Sequence, residues 1–430
     1  MTDGDRYGGF TPARATRFYV PLLLQAFSQS LTYPLVAAIV AHGAYGVQEL
    51  AAFAQGQAVM FMIGSLGGGL VMTGMVFART QTGYRAFRRL NAYMMGVLLS
   101  VQILLALPPF GDWIFAHLLN LPPDLATVGR RTLLWGVFMQ AAFFFRNVPL
   151  VALFNARASF EANVATTIRI ALTAVTPYVF IHLDWTGWAW GLAATTVPCF
   201  VEWWLTRQFA RKYVRELPDT TPAEPSAVSD QFHFTWPLSL GAFLLAVSPL
   251  MIAVFVGRTE NHVAMLAVHY VTIGLANPVG YAALRMQPVA IQFPPEYAGD
   301  TRMVRYAVCA GLVLGIIPLL TALPGVSDWY FNVVQNLPTE DVGLARTVML
   351  GYAVWPVIQG LRGLAEGRAA WSKRPKAVFA GQVAYLTTLT VVLAVSLVCG
   401  LSGWMMGGLS ILLATLATLV TVTFRLRSQT

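Results

Sequence analysis

Twelve apolar runs, each long enough to cross a lipid bilayer, follow one another along almost the whole chain. A transmembrane helix needs about 20 mostly apolar residues, and 11% of this chain is charged against about 25% in soluble domains. Hydrocarbon leaves backbone groups without water, and the alternation of barrel strands is absent, so each run is predicted to be a helix. The predicted spans are residues 16–42, 49–77, 86–108, 127–153, 160–181, 186–210, 233–257, 263–292, 303–324, 343–366, 376–398 and 402–424. The sequence therefore predicts an all-α membrane protein with twelve transmembrane helices.

A phrase near residue 112 recurs half a chain later, which indicates an internal duplication. The phrase contains Asp112, Trp113, Phe115, Asn120, Leu121 and Pro122, and it returns 216 positions later as Asp328, Trp329, Phe331, Asn336, Leu337 and Pro338. Arg146 and Arg362 share the same offset. The prediction is two homologous six-helix lobes, residues 1–214 and 232–430. Residues 215–231, rich in Pro, Ser, Thr and acids, are predicted to be a solvated cytoplasmic linker.

The duplication predicts parallel lobes, because six spans return the chain to the side on which it started. Parallel repeats that face each other across a central cavity are an architecture of alternating-access transporters. In the repeated phrase, Trp and Phe are expected in the aromatic belt at the membrane surface. Asp112 and Asp328 are expected to cap a short interfacial helix that the Leu-Pro pair ends.

The first helix of each predicted lobe contains two prolines. They are Pro21 and Pro34 in the first lobe and Pro237 and Pro249 in the second. Proline frees a helix carbonyl and permits a kink, so these four residues are candidate hinges, with static kinks as the alternative. In the second span, the glycines of GSLGGGLVMTG are predicted to form a close-packing face. A phosphate-binding loop would need a following Lys and Ser or Thr outside the membrane.

The loops on one side of the predicted spans hold most of the positive residues. That side, which includes both termini, carries 20 Lys and Arg, and the opposite side carries four: Arg130, Arg131, Arg258 and Arg346. Positive residues are retained in the cytoplasm, so both termini are predicted to be cytoplasmic. Arg outnumbers Lys 25 to 3, a composition typical of GC-rich bacteria, and the predicted location is a bacterial inner membrane. The dispersed basic residues favour contact with membrane lipids and argue against nucleic acid.

Four further arginines lie inside predicted spans: Arg146, Arg169, Arg285 and Arg362. A charge at mid-bilayer costs about 2.5–3.5 kcal/mol, so they are expected to line a cavity. Glu202 is expected to pair with Arg207 one turn away, and Glu366 is placed to neutralise Arg362. A surplus of buried positive charge is therefore expected. Because guanidinium groups bind phosphates and carboxylates bidentately, the substrate is predicted to be anionic.

Other polar residues in the spans are candidates for the same cavity. They are Gln25, Gln29, Gln140, Asn147, His269, Asn277 and Gln359. Each alone is more often an interhelical hydrogen-bond partner than a ligand contact. The prediction is that Arg146, Arg285 and Arg362 converge in one central cavity. No catalytic, metal-ligating or ATP-binding motif is found, so neither an enzyme nor a cofactor is predicted. An ion gradient, solute exchange or the membrane potential would drive transport.

Twelve predicted helices in two homologous sixes, with a long first helix in each half, resemble the MATE and flippase (MOP) superfamily. Four segments carry a finer resemblance: TRFYVPLLLQAF, ELAAFAQGQAVMFMIGSLGGGLVMTGMVF, FHFTWPLSLGAFLLAVSPLMIAVFVGR and VWPVIQGLRGLAEGRAAWSKRPKAVF. Within the superfamily, these segments look most like the progressive ankylosis (ANK) family. The resemblance implies a V-shaped, two-lobed exporter. ANK relatives are linked to cellular release of pyrophosphate, nucleotide or carboxylate anions, and Arg362 in LRGLAEG falls where that family also looks basic. Many drug exporters of the superfamily carry an acid in helix 1, whereas residues 16–42 contain none, which argues against cationic drug antiport.

Two functions remain open from the sequence. The leading one is ANK-like export of an anionic solute bearing phosphate or carboxylate groups. The alternative is a flippase for an anionic lipid-linked precursor. A lateral apolar groove leading to the arginines would favour the flippase, and a closed wall would favour the soluble anion.

Overall fold

A computed structural model of the chain describes residues 9–30, 32–119, 121–219, 227–297, 299–335 and 337–427. These residues form helices joined by short loops, and no strand is assigned among them. Eight of the described helical segments are long and apolar enough to cross a membrane. The chain is therefore an all-α, multi-pass membrane protein, as predicted.

The first half of the chain contains ten of the described α-helices. They are α1 (Pro12–Ser30), α2 (Thr32–Ala41), α3 (Val47–Ser65), α4 (Leu70–Phe77), α5 (Gln81–Ala106), α6 (Pro108–Asp112), α7 (Pro123–Trp135), α8 (Val137–Asn155), α9 (Ser159–His182) and α10 (Trp188–Arg215). A π-helical turn, Trp113–Leu118, follows α6. Predicted spans 2 and 4 each consist of two consecutive helices, spans 3, 5 and 6 are single helices, and the described residues of span 1 are helical.

The second half contains the other nine described α-helices. They are α11 (Val228–Val256), α12 (His262–Leu284), α13 (Met286–Gln292), α14 (Arg302–Thr321), α15 (Pro324–Ser327), α16 (Thr339–Tyr352), α17 (Trp355–Trp371), α18 (Pro375–Val398) and α19 (Gly403–Arg427). A π-helical turn, Asp328–Val334, follows α15. Here spans 8 and 10 are broken into two helices. Within the described residues, every predicted span is therefore helical.

The predicted duplication is visible in the bonds of the structure. α9 and α18 begin 216 positions apart and end 216 positions apart. The Leu121 amide donates to the Phe115 carbonyl at 2.9 Å, and the Leu337 amide donates to the Phe331 carbonyl at 2.8 Å. The same backbone turn thus ends the interfacial segment in both halves.

The repeated phrase has a different role from the one predicted for its Phe and Asp residues. Trp113 and Trp329 are exposed, as an aromatic belt requires. Phe115 and Phe331 are fully buried, so they anchor the segment in the core. The Asp112 side chain makes no capping hydrogen bond.

Both aspartates of the phrase instead form ion pairs across the segment. Asp112 Oδ1 lies 3.6 Å from Arg130 Nε, and Asp328 Oδ1 lies 3.1 Å from Arg346 NH2. Arg130 and Arg346 are themselves 216 positions apart, so the pair was duplicated with the phrase. The capping prediction is wrong because the short helix already begins upstream, at Pro108 and Pro324, where proline suits the first helical position.

The chain forms two compact units, and each has its own buried core. One unit contains the described residues up to Phe27 and from Leu240 onward, and the other contains the described residues from Ser28 to Ser239. The start of α1 therefore belongs with the second half of the chain, where Ala26 packs with Val279 and Leu314. The start of α11 belongs with the first half, where the hydroxyls of Thr235 and Thr73 are 2.7 Å apart. The predicted lobes follow the sequence duplication. The compact units differ from the lobes because the start of α1 packs with the second half of the chain and the start of α11 packs with the first half.

The four candidate hinge prolines lie within helices. Pro21 is buried within α1, and Pro34 lies in α2. α11 runs without a break through Pro237 and Pro249. The side chain of Pro34 lies outside the described part of the chain. Bending at these prolines remains a prediction.

The glycine run of the second span lies where α3 stops and α4 starts, and close packing is confirmed there. A Cβ on Gly67 would lie 2.8 Å from the Phe144 ring, and one on Gly69 would lie 2.8 Å from Leu238 Cβ. Any larger residue would push these neighbours away, since both distances are well below van der Waals contact.

A charged cluster on the loop between α13 and α14 holds the first described residues against their unit. The Phe10 amide donates to Glu296 Oε1 at 3.0 Å. Arg302 NH2 donates to Glu296 Oε2 at 2.8 Å and to Asp300 Oδ2 at 2.9 Å. The hydrogen bonds from Arg302 hold the pKa of both carboxyls below their ordinary values.

This cluster gives a first testable pH dependence. Because both folded-state pKa values lie below the ordinary values of about 3.9 for Asp and 4.3 for Glu, the stabilisation is complete above about pH 5 and is lost as the pH falls further. The Phe10 amide is expected to be protected from hydrogen exchange at neutral pH and to lose that protection on acidification. Glu296→Ala should remove the protection at neutral pH. Protection that survives in Glu296→Ala would contradict the assignment.

Candidate functional site

A buried ion cluster lies inside the unit of residues 28–239, at the middle of α8, α9 and α10. Glu202 Oε2 lies 2.9 Å from Arg146 NH1 and 3.1 Å from Arg169 Nε. The Thr166 hydroxyl donates to Glu202 Oε1. Glu202 is 1% exposed and Arg169 3% exposed. We call these four residues the Glu202 cluster.

The predicted local pair between Glu202 and Arg207 is wrong. The two side chains are five positions apart on α10, whereas helical neighbours are three or four apart. Glu202 therefore faces α8 and α9, and the Arg207 guanidinium lies over the Trp203 ring at 5.8 Å from its centroid. The Glu202 carboxylate thus forms ion pairs with Arg146 and Arg169, for which the sequence analysis found no acidic partner.

The Glu202 cluster carries a surplus of positive charge. Two guanidinium groups and one carboxylate sum to a formal charge of +1. Arg146 Nε is buried and has no hydrogen-bond partner among the described residues. Since an incompletely paired buried charge is costly, this cluster is suited to an additional anionic partner.

The other unit contains a neutral counterpart centred on Glu366. Arg362 Nε donates to Glu366 Oε1 at 2.8 Å, and Arg362 NH2 donates to Gln382 Oε1 at 2.9 Å. Gln382 Nε2 and Gln287 Nε2 each donate to Glu366 at 3.0 Å. The predicted neutralisation of Arg362 by Glu366 is confirmed. We call these four residues the Glu366 cluster.

Small residues on α17 make the Glu366 cluster possible. A Cβ on Gly363 would lie 2.8 Å from the Leu284 carbonyl oxygen, and a Cβ on Gly367 would meet the Gln287 carbonyl oxygen. Glycine at these positions lets α17 approach the break between α12 and α13 closely, as small residues do between membrane helices. Gln287 is thereby brought to Glu366.

The two clusters occupy corresponding places in the duplicated halves. Arg146 and Arg362 are 216 positions apart, as are Thr166 and Gln382, and Arg169 and Tyr385. The three residues of the first half belong to the Glu202 cluster. In the second half, Arg362 and Gln382 belong to the Glu366 cluster, and the Arg362 guanidinium lies over the Tyr385 ring at 5.5 Å from its centroid. The duplication kept the arginine on the fourth span.

The carboxylates, however, come from different helices in the two halves. The position that corresponds to Glu202 holds Thr418, whose hydroxyl donates to the Gly381 carbonyl at 3.1 Å. Glu366 lies on α17, the same helix as Arg362. The Glu202 cluster and the Glu366 cluster therefore differ in formal charge, +1 against zero.

The remaining candidate residues are buried or half-buried outside the hydrogen bonds of both clusters. Gln140 lies against Gly64, and Asn147 Nδ2 donates to Asn91 Oδ1 at 3.4 Å. His269 packs against Gly407, and Arg285 ends α12 half-buried. Gln25 and Gln359 are buried, and the side chain of Gln29 lies outside the described part of the chain. Arg146 and Arg362 belong to different compact units, so their convergence with Arg285 remains a prediction.

Sequence reasoning missed Thr166, Gln382 and Tyr385 as partners of the arginines. The 216-residue offset was the available signal, because it aligns the positions 20 and 23 residues after each repeated arginine. Gln287 carried no such signal, since its contact depends on how closely α17 approaches.

Comparison with known proteins shows the fold. No protein-family model and no curated protein sequence matches the chain. A MATE transporter solved in complex with MaL6 superimposes with a TM-score of 0.74 at 16% identity, covering 100% of this chain and 99% of that one. A mutant of the Vibrio cholerae MATE transporter VcmN gives 0.72 at 14% identity, covering 97% of each chain.

A third structure with the same fold is a MOP superfamily transporter. A MOP superfamily transporter from Pyrococcus furiosus superimposes with a TM-score of 0.67 at 15% identity, covering 100% of this chain and 98% of that one. That protein is described as having a binding pocket of reversed polarity, which suggests a different function for it. The chain therefore has the twelve-helix MATE fold of MOP transporters, with the two homologous six-helix halves that the sequence predicted.

Proposed function

We propose that the chain is an alternating-access membrane transporter for an anionic solute bearing phosphate or carboxylate groups. The observation that carries this proposal is the shared use of Glu202 by Arg146 and Arg169 at 2.9 and 3.1 Å. The fold supports the transporter class, and the charge of the Glu202 cluster supports the sign of the substrate. No enzymatic role is part of the proposal.

The chemistry of the cluster favours an anion over a cation. Arg146 is the more exposed arginine, with 13% of its side chain accessible against 4% for Arg169. Its Nε is without a partner among the described residues, so the guanidinium still has donors to offer. A carboxylate or phosphate oxygen placed there would restore charge balance and gain a charge-assisted hydrogen bond. A cation would meet a net positive charge.

A flippase for an anionic lipid-linked precursor is the second candidate. The observation in its favour is an apolar groove of about 430 Å³ in the unit of residues 28–239, whose lining includes Leu90, Met94, Val97, Phe232 and Trp236 and would fit acyl chains. No arginine lines this groove, so it does not meet the criterion of a groove that leads to the arginines, and the soluble anion stays the leading candidate. The ANK-like subtype remains an expectation from sequence resemblance, and so do the inner-membrane location and the cytoplasmic termini.

Arg146→Ala is expected to lower anion flux about tenfold or more, because a hydrogen bond to a charged group is worth about 1.5–3 kcal/mol. Folding should tolerate this change, since it leaves Arg169 and Glu202 as a neutral one-to-one pair. The measurement is flux of pyrophosphate, citrate and ATP from liposomes containing the purified protein. Arg146→Lys keeps the charge but loses the planar fork, so its flux should be intermediate.

The matched control is Arg130→Ala, which removes an arginine from the ion pair with Asp112 in the same half of the chain. Its flux should equal that of the unchanged protein. Scrambling of a fluorescent polyprenyl phosphate, measured in parallel, separates the flippase from the soluble-anion transporter. Unchanged flux in a folded Arg146→Ala variant would reject the anionic site.

A further inference from the structure

A second groove in the unit of residues 28–239 combines arginines with an apolar lining. It has a volume of about 440 Å³ and lies between α5, α8 and α10. Arg88, Arg207 and Arg211 line one part, and Met95, Phe145 and Trp203 are among the residues that line the rest. We call it the arginine groove. It contains none of the four residues of the Glu202 cluster.

The lining of the arginine groove changes along the helix axes, from arginines at one end to apolar side chains at the other. The Gln81 side chain donates to the Val214 carbonyl at 2.7 Å, so the start of α5 lies beside the end of α10. Met95 is seven residues beyond Arg88 on α5, roughly 10 Å at 1.5 Å per residue. Trp203 precedes Arg207 and Arg211 by one and two turns on α10. The arginines therefore lie at the end of the groove that the distribution of Lys and Arg predicts to be cytoplasmic. The apolar side chains lie farther along the helices, toward the predicted middle of the membrane.

The residues that the structure describes place no acid against these three arginines. The arginines are exposed, the lining contains no acid, and none of them forms an ion pair with a carboxylate of the described residues. Arg88 lies on α5, whereas Arg207 and Arg211 lie on α10, so the lining of one groove brings arginines together from two helices. The groove thus combines a cluster of positive charge with an adjacent apolar lining.

We propose that the arginine groove binds an anionic phospholipid. Its phosphate would accept hydrogen bonds from Arg88, Arg207 and Arg211, and its acyl chains would pack on Met95, Phe145 and Trp203. Basic pockets between transmembrane helices recognise lipid headgroups in this way. A soluble phosphate would make the same polar contacts but would leave the apolar part in contact with water, which is why the graded lining selects the lipid. The inference does not depend on the transported substrate.

The test compares two triple variants of the full chain that change net charge equally. Arg88→Ala/Arg207→Ala/Arg211→Ala empties the groove of charge. Arg85→Ala/Arg89→Ala/Arg215→Ala removes three exposed arginines from the same helix ends, none of which lines the groove. Each protein is purified and its retention of added phosphatidylglycerol is measured by native mass spectrometry. Its melting temperature is measured in nanodiscs of phosphatidylcholine alone or with equal parts of phosphatidylglycerol.

The groove variant is expected to bind phosphatidylglycerol about fivefold more weakly for each arginine removed, because a basic residue near an anionic headgroup contributes about 1 kcal/mol. It should also lose the rise in melting temperature that phosphatidylglycerol gives the unchanged protein. The control variant should keep both. Equal losses in the two variants would overturn the proposal, since general surface charge would then explain the binding. A matching arginine-dependent rise with inorganic phosphate in detergent would overturn the lipid assignment in favour of a soluble anion.

Discussion

Glu202→Gln is expected to lower the free energy of unfolding by about 3–5 kcal/mol, because it removes the shared carboxylate from two buried arginines. The substitution keeps the shape of the side chain, so the loss reports charge rather than packing. The measurement is the melting temperature and the unfolding equilibrium of the purified protein in detergent. The introduced glutamine is neutral, so the positive charges of Arg146 and Arg169 would remain buried without a counter-charge.

The matched control is Glu161→Gln, the same chemical change at a more exposed acid. Glu161 Oε1 lies 3.8 Å from Lys212 Nζ, and 61% of the Lys212 side chain is exposed. Exposed ion pairs contribute about 0–1 kcal/mol, so this variant should unfold almost like the unchanged protein. Glu366→Gln should fall between the two, since it leaves a single arginine that still contacts Gln382. A Glu202→Gln protein as stable as Glu161→Gln would mean that the cluster is not ionised as described.

Phe115→Ala and Phe331→Ala should each cost about 3–5 kcal/mol, the usual effect of deleting a fully buried aromatic ring. The two residues hold equivalent positions, and neither has any exposed surface. A Cβ on Gly129 would lie 2.7 Å from the Phe115 ring, which shows how closely the ring is enclosed. Melting temperatures of the two variants in detergent would measure the effect.

Asp112→Asn and Asp328→Asn provide the comparison within the same phrase. Their carboxylates are 57% and 62% exposed, so each should cost less than about 1 kcal/mol. Phe variants that melt like the Asp variants would contradict the assignment of the phrase as a buried anchor. The repeated phrase is thus explained by one buried ring in each half, with an ion pair on its surface.

The sequence was sufficient for the class, the spans and the duplication. Apolar runs of about 20 residues have one stable solution in a bilayer, so each predicted span is helical. The offset of 216 positions aligned Phe115 with Phe331 and Arg146 with Arg362. In the structure both rings are buried, and each of these arginines pairs with a buried glutamate. The pair between Arg362 and Glu366 was also predictable, because residues four apart on a helix are neighbours.

Contacts between distant parts of the chain were not predictable in the same way. Glu202 and Arg146 are 56 residues apart, and only the packing of α8 against α10 brings them together. The same limit explains why Phe115 was expected at the membrane surface, since its sequence context does not say which face of the turn is covered. The compact units, which exchange the starts of α1 and α11, are likewise a product of side-chain packing.

The sequence by itself determined that this protein is a duplicated bundle of membrane helices with arginines in the apolar spans, because hydropathy and periodicity are local properties of the chain. The tertiary structure alone decided that Glu202 would serve two arginines while Glu366 serves one. The physical reason is that a buried charge pairs with a group on whichever helix packs against it. Small residues and helix breaks set the distances between helices, and their effect depends on residues that are far apart in the sequence.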